Sequence, residues 1–525
     1  MARWLVLLPL LGLLTVLLPA GGETEASPGG VTERVSVDSQ GGEADDASFE
    51  AAISGDGRYV AFASVATNLV PGDANGLTDV FRRDVITGET LRVSENSQAG
   101  GGDAASRSPD ISDDGQLIVF QSSASNLLAS AGVLSIFGRF MGAEGVEPAP
   151  FSFSVDSEED LSTPDHTCPI VAARSDGPVI AYAGEADPEF GIDAGIQAGN
   201  VETGENWFLK DARPDSCGMG FSADGSKIAW VQDGVLRVWV LDTGEVTDIL
   251  CPTCGQEGRA NVAGVEPDGD SSDPSISGDG RYVAFRSFAT NLVPGDTNDR
   301  SDIFVHDLET GETTRVSVNS EGVQGNATSR DPSISGGGRF VSFSSSASNL
   351  VPGDTNGFND IFVHDRQTGE TVRVSVSSDG GESDAHTFES AISANGRVVA
   401  FFTAATNLVP GDTNGVTDVF IHGILPEGVE ATWGDNNCSG SAGPVDSLLT
   451  LRFDAGLDTN TGDCPEFGQV VEVQFASPHP WGDVDCSGAV TPVDSLKLLR
   501  FDAGLGASQA EGCPGIGTSV TIFDG

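Results

Sequence analysis

Internal repetition constrains this chain more than any other property. Asp296, Asp354 and Asp412 stand 58 residues apart, each inside the same four-part pattern. One copy runs Asp273-Pro-Ser-Ile-Ser-Gly-Asp-Gly-Arg-Tyr-Val-Ala-Phe285, then Asn291-Leu-Val-Pro-Gly-Asp-Thr-Asn298, Asp302-Ile-Phe-Val-His-Asp307 and Thr314-Arg-Val-Ser-Val318. The next two copies begin at Asp331 and Glu389, and a fourth begins near Phe49. Three degenerate copies fill the gap, holding Asp110 to Phe120, Ser175 to Tyr182 and Phe221 to Trp230, which makes seven. A repeat of this length means a supersecondary unit that cannot bury its apolar face alone.

Each copy reads as four short strands. A Gly-Asp-Gly hairpin joins the first two, a long polar loop the second and third, and a Thr-Gly-Glu turn the last two. Four-stranded units repeated radially are propeller blades. The Ser-x-Asp-Gly-(Arg/Lys)-x-(Val/Ile)-Ala-Phe signature resembles the TolB-like family of WD-repeat-like propellers over residues 31–423. That resemblance implies the fold and says little about activity. The seventh copy stops at Gly423 without its Arg-Val-Ser-Val strand, and Val31-Thr-Glu-Arg-Val-Ser-Val37 supplies the missing piece. The spacing therefore predicts a seven-bladed ring closed by its own N-terminal strand, which removes the open edges.

Composition narrows the compartment and the partners. The 525 residues carry 78 Asp+Glu against 26 Lys+Arg, a formal charge of −52, and the lysines are Lys210, Lys227 and Lys497 alone. Phosphate contacts need clustered cations, so nucleic acid is not the expected partner. Residues 1–22 read as a signal peptide. Arg3 supplies the basic start, Leu5 to Leu18 the apolar stretch, and Leu18-Pro19-Ala20 the exit. The apolar run is too short to span a bilayer and no second one follows, so a secreted, extracellular protein without a membrane span is expected. Eight cysteines in an exported chain favour disulfides.

The second-to-third loops carry Asp-x-Asn-x-x-x-Asp four times: Asp73/Asn75/Asp79, Asp296/Asn298/Asp302, Asp354/Asn356/Asp360 and Asp412/Asn414/Asp418. The fourth-to-first loops, on the same face, add Glu43, Asp45, Asp46, Glu382 and Asp384. Alternating oxygen side chains on a tight turn suit a hard cation, and calcium is the natural one outside cells. The same residues also satisfy turn backbone groups, and both readings stay open. His306, His364 and His422 share one repeated position where blade 1 has Arg83, so they read as structural. No Ser-His-Asp set, nucleophile elbow or metallohydrolase motif is present, so no catalytic residue is assigned.

After a linker at 424–432 the pattern changes to a tandem repeat of period 48, beginning at Trp433 and Trp481. Loop positions 1, 3, 5, 7 and 12 hold Asp435, Asn437, Ser439, Ser441 and Asp446, then Asp483, Asp485, Ser487, Ala489 and Asp494, with Gly440 and Gly488 at position 6. A leucine-rich helix should follow each loop. This resembles the dockerin family over residues 433–525, which implies two bound calcium ions and docking to a cohesin-like or cell-surface partner. Pro444-Val445 and Pro492-Val493 occupy the positions where dockerins present partner-contacting hydroxyls. One disulfide per repeat is expected, Cys438 with Cys464 and Cys486 with Cys513, followed by strands at Val470 to Val473 and Val520 to Ile522. Cys168 and Cys217 are a plausible bridge with Cys251 and Cys254 paired locally; a four-cysteine zinc site is the alternative.

The fold class expected is mainly β, a seven-bladed propeller with a small α-helical dockerin-like domain. The function expected is a secreted, non-catalytic binding or assembly protein whose propeller recognises a carbohydrate or protein ligand. The competing class is a polysaccharide lyase or glycoside hydrolase with its site on the acidic propeller face.

Overall fold

A computed structural model describes residues 30–96, 100–127, 134–141, 150–155, 169–172, 174, 177–184, 195–215, 218–249, 267–424, 429–432, 470–473, 476–480 and 519–524. Seven four-stranded antiparallel sheets follow one another along the chain. Their inner strands are Ser48–Ile53, Ser106–Ile111, Ile170–Ala172, Met219–Phe221, Ser271–Ile276, Ser329–Ile334 and Thr387–Ile392, which number blades 1 to 7. In blades 1 to 6 the sheet order equals the chain order, the meander expected of propeller blades.

Blade 7 is completed from the other end of the chain. Thr32–Arg34 pairs antiparallel with Asp418–Gly423, placing Thr32 opposite His422 and Arg34 opposite Phe420. The ring also closes at the hairpin end, where Asn395 N–H donates to the Gly55 carbonyl across the join at 3.2 Å. The expectation of a ring shut by its N-terminal strand is therefore met.

Burial explains the blade signature. The second and third strands lie between neighbouring blades and are covered on both faces, so Asp302 to Asp307 is buried throughout. In blades 1, 2, 5, 6 and 7 two phenylalanines stack, such as Phe285 on Phe304 at 5.8 Å and Phe343 on Phe362 at 6.0 Å. Between blades, Ile303, Val305 and Val316 of blade 5 pack on Ile334, Val341 and Phe343 of blade 6. The hairpin glycine is required twice over: Gly338 has φ +71°, and a Cβ there would collide with the Tyr282 ring of the preceding blade.

Beyond the propeller, Val429–Thr432, Val470–Val473, Ala476–Pro480 and Ser519–Asp524 form a further four-stranded sheet. The strands expected at Val470 and Val520 are present. Part of the segment read as a linker is itself a strand, with Val429 opposite Ile522 and Thr432 opposite Ser519. The signal segment, all eight cysteines and both C-terminal calcium loops with their helices lie outside the described residues.

Candidate functional site

The four acidic loops do draw their carboxylates together, and each set closes on an arginine. Arg315, from the outer strand of blade 5, lies 3.3 Å from Asp296 and 3.7 Å from Asp302. Arg92 meets Asp73 and Asp79 in the same way, at 3.2 and 3.8 Å. Arg373 meets Asp354 and Asp360, with Glu382 added at 2.7 Å. Arg34, on the closing strand, meets Asp412 and Asp418, with Glu43 added at 2.7 Å. The serine two residues after each arginine finishes the set, as where Ser317 Oγ donates to Asp302 Oδ1 at 2.5 Å.

The asparagine of each motif ties its loop down. Through Nδ2, Asn75, Asn298, Asn356 and Asn414 donate to Asp79, Asp302, Asp360 and Asp418 at 2.8–2.9 Å. The same amides donate across to the Gly102, Gly325, Ser383 and Ala44 carbonyls at 2.9–3.2 Å. Each Oδ1 accepts a backbone N–H two residues on, from Leu77, Arg300, Phe358 and Val416, at 2.9–3.1 Å. In this arrangement Asn75, Asn298, Asn356 and Asn414 act as turn residues. Their oxygens hold turn N–H groups, because an Asx turn offers a donor within the same loop.

These contacts assign the loop carboxylates a partner within the chain. Among the described residues, Glu43, Asp412 and Asp418 form a trio with ligand atoms close enough to share a metal ion, and Arg34 sits against all three. Burial raises Asp354 and Asp412 to about 6 even so. A guanidinium offset by two or three acids in a half-closed loop leaves residual negative charge. The sequence carries a signal for this arrangement: the Asp-x-Asn loop and the Arg-Val-Ser strand occur together in blades 1, 5, 6 and 7 and are both missing from blades 2, 3 and 4.

The remaining loop acids brace turns. Asp45 accepts from the Thr67 N–H at 2.7 Å and the Thr67 hydroxyl at 2.7 Å, and Asp384 does the same for Thr406, at 2.8 Å each. The repeated histidine is structural, as expected. Each ring Nδ1 meets a threonine hydroxyl, His306 with Thr313, His364 with Thr371 and His422 with Thr32, at 2.8–2.9 Å. Thr371 and Thr32 spend their own protons on the carbonyls of Val318 and Val376, so His364 and His422 carry the Nδ1 proton. Arg83 donates to Thr90 in the same place at 3.0 Å.

A second ring of acids, on the axis, was not evident as a site from sequence. A cavity of about 750 Å³ runs there, lined by the inner strand of every blade, with Glu50 and Glu389 in its wall. In blades 1, 5, 6 and 7 the third residue of the inner strand is Glu50, Asp273, Asp331 or Glu389, and each has a left-handed φ of 54°, 52°, 53° or 41°. Ser108 holds this position in blade 2 with φ 51°. A register shift beside each of these residues marks a β-bulge that turns the side chain off the ladder. Left-handed backbone costs a non-glycine residue roughly 1 kcal/mol or more, and glutamate has no local hydrogen bond to offset it.

The electrostatics of this ring are unbalanced. Glu50 accepts from the Ser108 N–H at 2.8 Å, and Asp273 accepts from Ser272 with Arg286 at 3.7 Å. Asp331 and Glu389 have no hydrogen bond or ion pair among the described residues. Burial, with Asp273 adjacent, raises Asp331 to about 6 against the pull of Arg330 and Arg286. Glu389 is open to water in the channel yet walled by protein; that enclosure, with Asp331, Glu50 and Asp273 nearby, lifts it to about 7. Asp110, two residues further along its strand, is raised by burial to about 7 and accepts the Val171 N–H of blade 3, a bond between blades.

No protein-family model matches the chain, and no curated protein does. Solved structures similar to it include a putative TolB from Agrobacterium tumefaciens, 16% identical, covering 66% of this chain and 94% of that one with a TM-score of 0.34. Another is TolB from Acinetobacter baumannii, 15% identical, covering 66% and 76% with a TM-score of 0.33. The β-propeller domain of the Trilobed protease from Pyrococcus furiosus is 10% identical, covering 73% and 96% with a TM-score of 0.43.

Proposed function

We propose that this chain is an exported, non-catalytic binding protein that takes its ligand in the propeller channel. The observation that carries the reading is the pair Glu389 and Asp331. Glu389 lines the open cavity, Asp331 holds the same strained position one blade before it, and neither has a partner among the described residues. Strain that recurs at one position of five blades costs stability in each, and a ligand contact is the gain that offsets it. The C-terminal module binds calcium through Asp435, Asn437, Ser439, Ser441 and Asp446 and through Asp483, Asp485, Ser487, Ala489 and Asp494, and docks the protein to a partner or surface. The third loop position sets the relative affinities: Asp485 carries a charge where Asn437 does not, which makes the second loop the tighter one.

Two measurements test this. Full-length protein is titrated with polysaccharide and peptide panels, and saturable binding without release of reducing or unsaturated ends is expected. Turnover would support the enzyme reading instead, for which Asp331 and Glu389, poised near neutrality, are the acids to substitute. Calorimetry with calcium should show weaker binding for Asp485→Asn; an unchanged titration would remove Asp485 from the ligand set.

A further inference from the structure

We propose that an aromatic ridge beside the channel holds a neutral saccharide chain, its pyranose rings stacked on Phe388 and its neighbours and its hydroxyls donating to Glu389. This rests on the binding-protein reading and names the ligand class for the same site.

The ridge stands out when the blades are compared with one another. Phe358, His386, Phe388 and Phe402 meet in single file, with successive ring centroids 5.0, 6.2 and 5.9 Å apart. Phe358 comes from the second-to-third loop of blade 6. His386 stands just before the inner strand of blade 7, Phe388 within it, and Phe402 opposite Phe388 on the second strand. At the junction of blades 1 and 2 the same four places hold Leu77, Ala105, Arg107 and Gln121. The other two junctions that follow an Asp-x-Asn loop carry one aromatic between them, Phe49. A blade therefore folds without these rings, and they are left in contact with water: Phe388 is 41% exposed, and His386 is exposed beside it. Lone exposed apolar side chains are ordinary, but a contiguous aromatic row is the mark of a binding surface.

The surroundings select the ligand. Glu389 follows Phe388 directly, lines the cavity and has no hydrogen bond or ion pair among the described residues. Its carboxylate can accept from two neighbouring hydroxyls. The Asn359 N–H donates to His386 Nδ1 at 2.9 Å, which leaves the ring proton on Nε2 as a donor to an oxygen. Aromatic faces are electron-rich and attract the polarised C–H face of a pyranose, whose rim of hydroxyls needs acceptors and donors alongside. Nucleic acid, which also offers stackable rings, is repelled by the formal charge of −52, and so are acidic saccharides. A folded partner would cover roughly 800 Å² of surface, which a single file of rings beside a concave channel does not offer.

The test is calorimetry of full-length protein with cellohexaose, mannohexaose, xylohexaose and maltohexaose, alongside hexagalacturonate and a proline-rich peptide. Saturable binding of at least one neutral chain is expected. It should weaken about tenfold or more in His386→Ala/Phe388→Ser, and by a smaller factor in Glu389→Gln. Phe208→Ala, which removes a similarly exposed ring from the outer strand of blade 3, should change nothing. Blades 2 and 5 carry Ala105 and Ser272 at the two substituted places, so the double variant should fold, and circular dichroism with a melting curve verifies it. Equal binding by the double variant, or no binding of any neutral hexasaccharide, overturns the proposal. Binding of hexagalacturonate or of the peptide alone, lost in the double variant, overturns the neutral saccharide and leaves the binding-protein reading standing. Release of reducing ends from a bound chain would support the saccharide class and overturn the non-catalytic reading.

Discussion

Arg315, Arg92, Arg373 and Arg34 decide what the acidic loops are. Each guanidinium is almost wholly buried against two or three carboxylates, so removing it strands charges that water cannot reach. Arg373→Ala should cost about 3–5 kcal/mol in denaturant unfolding, the range seen when one partner of a buried pair is deleted. A loss below about 1 kcal/mol would mean that water enters the loop. Titration gives a second prediction at this scale. Burial holds His306, His364 and His422 down near 4, so their contribution to stability is complete above about pH 6.5 and is lost as the pH falls through 4. Asp331 and Glu389 act in the opposite sense. Their folded values near 6 and 7 lie above the unfolded ones, so their ionisation opposes folding at neutral pH and the penalty disappears on acidification. Melting temperatures measured from pH 7 to pH 4 should therefore fall more steeply in Asp331→Asn/Glu389→Gln than in the unaltered protein. Equal slopes would contradict the raised values. The sequence showed every one of these residues, and Asn75, Asn356 and Asn414 with them. The pairing of the Asp-x-Asn loop with the Arg-Val-Ser strand in the same four blades was the one signal for the acids that face an arginine, but nothing told an amide bracing a turn from one holding an ion, because both uses draw on the same short motif.

At the scale of elements, the four-strand blade was readable throughout. Alternation, the Ser-x-Asp-Gly turn and the Thr-Gly-Glu turn located the strands, since each signal is local. The bulge in the inner strand was not readable. Ser-Ser-Asp-Pro-Ser-Ile and Thr-Phe-Glu-Ser-Ala-Ile both pass for simple strands, and the shift to left-handed φ at Asp273 and Glu389 arises from pairing with the second strand around a narrow axis. The third residue of the inner strand is acidic in four copies, which is a sequence signal once its position is known. The inner strands of blades 3 and 4 are three residues long and, by register with the second strand, begin after this position.

For the whole molecule, closure depends on three residues paired across nearly the full propeller. Thr32–Arg34 fills the last place in blade 7, and Arg34 also completes the ion cluster with Asp412, Asp418 and Glu43. Deleting residues 30–37 should lower the melting temperature and broaden the transition, because blade 7 then exposes a free edge and the Arg34 carboxylates lose their counter-charge. An unchanged, equally sharp transition would show that the ring holds without its closing strand. The net charge of −52 looks different at this scale. Much of the acidity on the loop face is bound internally, to arginines, threonines and turn N–H groups, while on the inner strands Asp331 and Glu389 have no hydrogen bond or ion pair among the described residues. The sequence by itself determined the number of blades, their strand order and the strand that closes them, because repetition and hairpin chemistry are written in consecutive residues. Only the tertiary structure decided which carboxylates are paired, since bending seven sheets around an axis turns one face of the inner strand away from every neighbour and leaves its acids with little but the channel to face.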